Sequence, residues 1–182
     1  ISEHVLYGMN PKKIHEVERL AWMIAQLARS REIRQIVDLG SGQGYLSRSL
    51  AYQYGLDVLA MDADNVQTCG AQRYQAQAER HGIHSNTADA SDDAIASTAR
   101  GRLIHATHLV TERSLNELLQ AIHKEDSDHW RGEGDASEGS AQPWLLCGLH
   151  TCGDLGASSL RLFVESDARI LVNVGCCYNL LT

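Results

Sequence analysis

A buried-strand pattern runs straight into three alternating glycines at Val37-Asp38-Leu39-Gly40-Ser41-Gly42-Gln43-Gly44-Tyr45, and this junction limits the chain more than any other segment. The apolar run Ile33 to Leu39 predicts a strand, and Tyr45 to Tyr54, stopped by Gly55, predicts a helix. Glycines let the backbone turn sharply and approach a ligand closely, and the helix that follows aims its N-terminal amides at a negative group. Two ligand classes are disfavoured by the residues themselves. A phosphate-binding P-loop ends in Gly-Lys-Ser/Thr, which is missing here. The dinucleotide fingerprint is G-x-G-x-x-G, whereas this loop reads Gly40-x-Gly42-x-Gly44.

The rest of the chain repeats the strand-then-helix alternation. Asn10 reads as an N-cap with Pro11 at the first helical position, and Ile14, Val17, Leu20, Ala21, Ile24, Leu27 and Ala28 form one apolar stripe to about Arg29. A second strand spans Asp57 to Met61, ending at Asp62. A polar-faced helix follows from Asn65 to about Arg80, closed by His81-Gly82. The third strand is expected at Leu103 to Val110, before a short helix with a capping box at Ser114 and Glu117. Strands at Trp144 to Leu149 and Ile170 to Val174 flank a helix at Leu155 to Val164. Such alternation means right-handed crossovers and a doubly wound parallel sheet, with ligands at the carboxyl ends of the strands. We expect one α/β domain over residues 1–182, with a leading helix within 1–30 and a mobile acidic loop at 124–142.

Charge and cysteine content narrow the context. The 182 residues carry a net charge of −7, so no global basic footprint marks a nucleic-acid binder. Residues 124–138 alone carry −4, whereas residues 1–37 hold six bases against four acids. Neither figure demands or forbids an RNA partner. Five cysteines, two of them adjacent, do not form a secreted disulfide framework, and no apolar run reaches the roughly 20 residues of a bilayer span. An intracellular location, cytoplasm or nucleus, is expected, with no membrane partner. The oligomeric state is not readable from the sequence. The chain opens at Ile1 and stops eight residues after the fifth strand, so a piece of a longer protein is expected.

The acid-x-Gly-x-Gly-x-Gly form from Asp38 to Gly44 resembles motif I of class I S-adenosylmethionine methyltransferases. That cofactor carries a carboxylate, an ammonium and a sulfonium but no pyrophosphate. Amides after Gly44 suit the carboxylate, and Asp38 supplies negative charge near the amino end. Asp62, 18 residues beyond Gly44, is placed to accept both ribose hydroxyls, with Asp64 in reserve. Three more stretches sharpen the likeness: Met9-Asn10-Pro11-Lys12-Lys13-Ile14-His15-Glu16, Gly148-Leu149-His150-Thr151-Cys152-Gly153-Asp154-Leu155, and Val172-Asn173-Val174-Gly175-Cys176-Cys177-Tyr178-Asn179. From Met9 to Thr182 the chain resembles the methyltransferase-like protein 25 family, which includes a branch named for a ribosomal RNA adenine dimethylase domain.

The resemblance implies a Rossmann-like class I methyltransferase domain using S-adenosylmethionine, cut short after the fifth of the strands of the full fold. It implies cofactor contacts at Gly40, Gly42, Gly44 and Asp62, and the candidate set is completed by Asp38, Ser41, Tyr45, Ala63 and His150. Lys13, His15 and Glu16 match the family's leading helix, and either pack over the cofactor or form a solvated first turn.

Candidate catalytic residues are His150, Cys152, Tyr178 and Asn179, delivered by the ends of strands four and five. Tyr178 can stack on a planar substrate and Asn179 can orient an amide or amine. Enzymes that methylate exocyclic amines commonly carry Asp/Asn-Pro-Pro-Tyr/Phe where this chain has His-Thr-Cys-Gly, which weakens an adenine acceptor. A cysteine nucleophile at Cys152 or Cys177 would suit cytosine carbon-5 methylation, but no Pro-Cys pair accompanies either. His150, Cys152, Cys176 and Cys177 are ligands zinc accepts, yet their spacing is not that of a finger or ribbon. We therefore expect no metal and read these cysteines as small buried packing residues. Cys69 and Cys147 are read as structural. The expected activity is methyl transfer to an unidentified acceptor, with RNA placed ahead of protein or small molecules. The alternative is a non-catalytic scaffold on the same fold.

Overall fold

The computed structural model describes residues 5–82, 101–109 and 143–176. Helix α1 spans Pro11–Ser30 and opens as its sequence predicts: the Asn10 side chain accepts from the Lys13 amide at 2.9 Å. Its stripe of Val17, Leu20, Ala21, Ile24, Ala25 and Ala28 is buried. Removing the cap in Asn10→Ala is expected to cost about 1 kcal/mol, because one N-terminal amide loses its only side-chain acceptor. A thermal melt would show this as a drop of roughly 2–4 °C.

Strands β1 (Gln35–Leu39), β2 (Asp57–Asp62), β3 (Leu103–Thr107), β4 (Trp144–Leu149) and β5 (Ile170–Val174) form one parallel sheet in the order β3-β2-β1-β4-β5. Between them lie α2 (Tyr45–Tyr54), α3 (Asn65–Gly82) and α4 (Asp154–Glu165). Side chains alternate across the strands. Ile36, Val58, Ala60, Leu145, Cys147 and Val172 pack under α1 and α2, whereas Val37, Leu39, Leu59, Met61 and Leu146 pack with Leu162 and Phe163 of α4. Both faces of the central strands are therefore covered, and β1 is buried at every position.

Several boundaries differ from the sequence expectation. β1 begins at Gln35 rather than Ile33, although Ile33 is buried below it. β3 ends at Thr107 instead of Val110, since its partner β2 ends at Asp62, whose carbonyl accepts from His108 N at the end of the pairing, and Leu109 is exposed. α3 continues through His81 and Gly82 rather than closing on them. The capping box at Ser114 and the acidic loop at 124–142 lie outside the described residues.

A polar tie holds the start of the described chain to α2. Arg48 is buried to 1% exposure, and its guanidinium donates to the carbonyls of Val5 (3.0 Å) and Tyr7 (2.6 Å). The same cation lies 5.5 Å from the centre of the Tyr45 ring and 5.6 Å from that of Tyr74.

Candidate functional site

The sheet order reverses its direction of growth between β1 and β4, which pair with each other while their successors run outward on opposite sides. Beyond the carboxyl ends of these two strands a parallel sheet leaves a crevice. A cavity of about 230 Å³ lies there, lined by Asp38 of β1, Gly40, Ser41, Gly42 and Gln43 after it, Tyr45 and Leu46 of α2, Leu149 of β4 with His150 just beyond, and Lys13 and Val17 of α1. It is smaller than the roughly 300–1,000 Å³ that drug-sized ligands occupy, so it suits one end of such a ligand. A second cavity of about 210 Å³, lined by residues such as Trp22, Arg29, Ile33 and Leu56, adjoins the opposite, N-terminal ends of the strands.

The glycine loop is held from β2. Ser41 N donates to the Met61 carbonyl at 3.0 Å, and Gly42 N donates to Asp62 Oδ2 at 2.8 Å. Asp62 Oδ1 accepts from the Asp64 amide. Gly40 adopts φ +65°, and a Cβ there would come within 2.8 Å of Leu155 Cδ2. Gly44 caps α2 in the left-handed region with φ +69° and no side-chain cap, and a Cβ would press His105 at 3.0 Å. The first amides of α2 thus face the crevice without a capping side chain.

Asp38 is the polar centre of the cavity. Ser47 Oγ donates to its Oδ2 at 2.5 Å, whereas the buried Oδ1 has no hydrogen-bond partner among the described residues. Burial pushes the carboxyl up to about 7, against the pull of the Ser47 hydroxyl and the Cys147 thiol, and the Asp62 charge adds to the rise. An orphaned acceptor of this kind costs free energy until a donor reaches it.

At the other wall, α1 meets β4. His150 has φ +66°, a conformation uncommon outside glycine and one that concentrates at functional sites. Its Nε2 lies 2.9 Å from Glu16 Oε1 and 2.8 Å from Lys13 Nζ, while Lys13 Nζ donates to Glu16 Oε2 at 2.6 Å. Burial raises the Glu16 pKa, but hydrogen bonds from Lys13 and His150 outweigh it and hold the carboxyl below its ordinary value. Next to His150, buried Thr151 donates to Asn173 Oδ1, and Asn173 Nδ2 donates to Ser159 Oγ at 2.9 Å. This chain fixes the exit of β4 against β5 and α4.

A family model described as "Methyltransferase domain" matches residues 12–182. The chain belongs to this methyltransferase family. Its parallel sheet, with helices on both faces, is the doubly wound, Rossmann-like α/β arrangement expected from the sequence. Curated relatives include the "Probable methyltransferase-like protein 25" of Mus musculus, 25% identical over 96% of this chain and 45% of that protein. The Homo sapiens protein of the same name is also 25% identical, over 96% of this chain and 44% of its own length. The methyltransferase domain thus spans under half the length of either relative. Among solved structures it is similar to a putative caffeoyl-CoA O-methyltransferase from Staphylococcus aureus, 14% identical with a TM-score of 0.44, covering 100% of this chain and 62% of that one. It is also similar to the SAH-bound Podospora anserina methyltransferase PaMTH1, 13% identical with a TM-score of 0.44, covering 92% and 58%.

Of the candidate residues, Asp38, Gly40, Ser41, Gly42, Tyr45 and His150 come together around the cavity. Gly44, Asp62 and Ala63 are not part of its lining, although Asp62 grips the loop. The two readings of the leading helix are separated by residue: Lys13 and Glu16 converge on His150, whereas His15 is exposed. Tyr178, Asn179 and Cys177 lie outside the described residues. The cysteines need correction. Cys69 is exposed on α3 rather than structural, and Cys152 and Cys176 are half-buried and exposed rather than packed inside. Among the described residues, no group of three or more His, Cys, Asp or Glu side chains is placed to hold a metal. Sequence reasoning missed Gln43, whose amide donates to Gln67 at 2.6 Å beside the loop, and the half-buried Asn173 bridge. Only the polar residue inside an apolar strand hinted at the latter.

Proposed function

We propose that residues 1–182 form an S-adenosylmethionine-dependent methyltransferase domain whose cofactor seats its amino-acid end in the cavity between β1 and β4. The observation that carries this reading is that Asp38, whose buried Oδ1 has no hydrogen-bond partner among the described residues, lines a cavity that also holds the uncapped start of α2. An ammonium fits the first and a carboxylate the second, which is the charge pattern of an amino-acid zwitterion. Asp62, at the end of β2, has lone pairs left for ribose hydroxyls beyond the Gly42 and Asp64 amides. When bound, the cofactor supplies an electrophilic methyl group.

The protein's part is to hold the acceptor in line and to take a proton. His150 is the proposed base. With Nε2–H donating to Glu16, Nδ1 keeps a lone pair; with Nε2 accepting from Lys13, Nδ1 carries the proton and is no base. Lys13 also lines the cavity, so a carboxylate there draws it off Nε2 and leaves the base-competent tautomer to Glu16. Cys152, Tyr178 and Asn179 remain the proposed acceptor-side residues. RNA is the first acceptor class to screen, on the strength of the family's naming, with protein and small molecules beside it. An intracellular site goes with this reading, and no described helix is long and apolar enough to cross a membrane.

Calorimetric titration with S-adenosylhomocysteine tests the pocket, and micromolar binding is expected. Its pH dependence tests the role of Asp38. The anion pairs with the ligand ammonium, so binding is full above about 7 and weakens by up to tenfold per unit as pH falls below it. Asp38→Asn should bind weakly and lose that slope. A wild-type affinity flat between pH 5 and 8 would remove Asp38 from the site. Absence of binding by a folded sample would favour the scaffold reading, which the missing Asn-Pro-Pro-Tyr-type segment at His150-Thr151-Cys152-Gly153 already favours.

A further inference from the structure

We propose that Cys152 and Cys176 are an oxidisable dithiol that hydroperoxides convert to a disulfide across the exits of β4 and β5. The placement of the bond at the acceptor side of the site rests on the methyltransferase reading; its formation does not. β4 and β5 pair in parallel through Leu149 and Val174, and His150 N donates to the Val174 carbonyl at 2.7 Å one step further on. The two cysteines leave the sheet just beyond that rung, and their sulfurs stand 2.7 Å apart. A covalent bond needs about 2.05 Å, so the side chains have only to close a short gap. Two thiolates on one tetrahedral zinc, each about 2.3 Å from the metal, would be separated by about 3.8 Å. The spacing of the pair thus lies nearer to the covalent distance than to that of two thiolates sharing one ion. Cys147 offers a contrast on the same strand, since burial and the Asp38 charge hold its thiol well up and no solvent reaches it.

Exposed Cys176 meets the oxidant first. Its thiolate attacks the peroxide, an S–O bond forms as O–O breaks, and one water leaves with the thiol proton. Cys152 sulfur then attacks the sulfenic acid, S–S forms as S–O breaks, and a second water leaves. Two thiols and one hydrogen peroxide thus give one disulfide and two waters. Neither sulfur lines the cavity at β1 and β4, so the bond pins the turn after His150 without entering the cofactor end.

Hydrogen peroxide treatment followed by intact mass and non-reducing peptide mapping tests this. The chain is expected to lose two hydrogens, to join the peptides of Cys152 and Cys176, and to recover both thiols with dithiothreitol. Cys177→Ser should keep the cross-link, and Cys152→Ser should leave Cys176 as a sulfenic acid captured by dimedone. A cross-link through Cys177 or between chains, or oxidation of Cys176 to sulfinic acid in the wild type without a cross-link, overturns the assignment. S-adenosylhomocysteine titration of the same samples separates the two proposals. Affinity within threefold in both redox states is expected. Binding in neither state, with the cross-link formed, would sink the methyltransferase reading alone, while a loss of more than tenfold on oxidation would overturn the placement outside the cofactor end.

Discussion

Asp62→Ala is expected to weaken S-adenosylhomocysteine binding by about 100-fold or more, while the melting temperature falls only a few degrees. In the folded chain, one carboxylate oxygen holds the Gly42 amide and the other the Asp64 amide. Removing them loosens the glycine loop and deletes the acceptors proposed for the ribose. Hydrogen bonds to a charged group contribute roughly 1.5–3 kcal/mol each, and two of them account for the predicted loss. Asp62 is half-buried at the carboxyl end of β2, so its removal leaves no deep cavity and the fold survives. Calorimetry and a thermal melt on one sample read both quantities. Affinity within threefold of wild type, in a variant that melts normally, would move the ribose site away from β2. Asp62→Asn keeps one acceptor oxygen and should fall between the two.

Arg48→Ala should cost about 3 kcal/mol, seen as a melting drop of roughly 6–12 °C for a domain of this size. Three losses add together. The carbonyls of Val5 and Tyr7 lose their donor, the rings of Tyr45 and Tyr74 lose their cation, and a large side chain leaves a void. Arg48→Met fills much of the void and removes a buried charge that is costly in itself, so its loss should be nearer 1–2 kcal/mol. Amide exchange at residues 5–9 should accelerate in both variants, because the guanidinium fixes this segment to α2 together with the Tyr45 hydroxyl, which donates to the Gly8 carbonyl at 2.8 Å. Equal melting of Arg48→Ala and wild type would show that the segment is held by something else. Burial also lowers the Arg48 pKa, but a guanidinium stays charged throughout any accessible pH range. The tie is therefore insensitive to pH.

Much of the scaffold could be read from the chain because it depends on neighbours in sequence. Apolar residues at three- and four-residue spacing placed α1 with Asn10 as its cap, and short apolar runs placed all five strands. Three alternating glycines after β1 required a turn that only glycine tolerates, and the backbone takes positive φ at Gly40, Gly42 and Gly44. The errors fell at ends, as with β3 and α3, where one hydrogen bond more or fewer decides and propensity is silent. The acid that ends β2 was also legible, because a strand end is a fixed place in a parallel sheet.

Pairings distant in sequence were not legible. Nothing in the first turn of α1 announces that Lys13 and Glu16 meet His150, which is 137 residues from Lys13. That meeting depends on how α1 crosses the sheet and on the left-handed backbone of His150, both set by packing. Asp38 could be seen as an acid in a glycine motif, but its burial, its raised pKa and the lone acceptor on Oδ1 belong to the folded surroundings. Cys152 and Cys176 could be grouped in sequence as candidate zinc ligands and were read as buried packing residues; that their sulfurs meet outside the core follows from the parallel pairing of β4 with β5. Local periodicity and turn chemistry thus determined the elements and the glycine loop of this protein, since both act within a few residues. Which charges touch, which acceptor is left waiting and which thiols face each other were decided by the tertiary structure alone, because only close packing of distant segments sets distance and dielectric together.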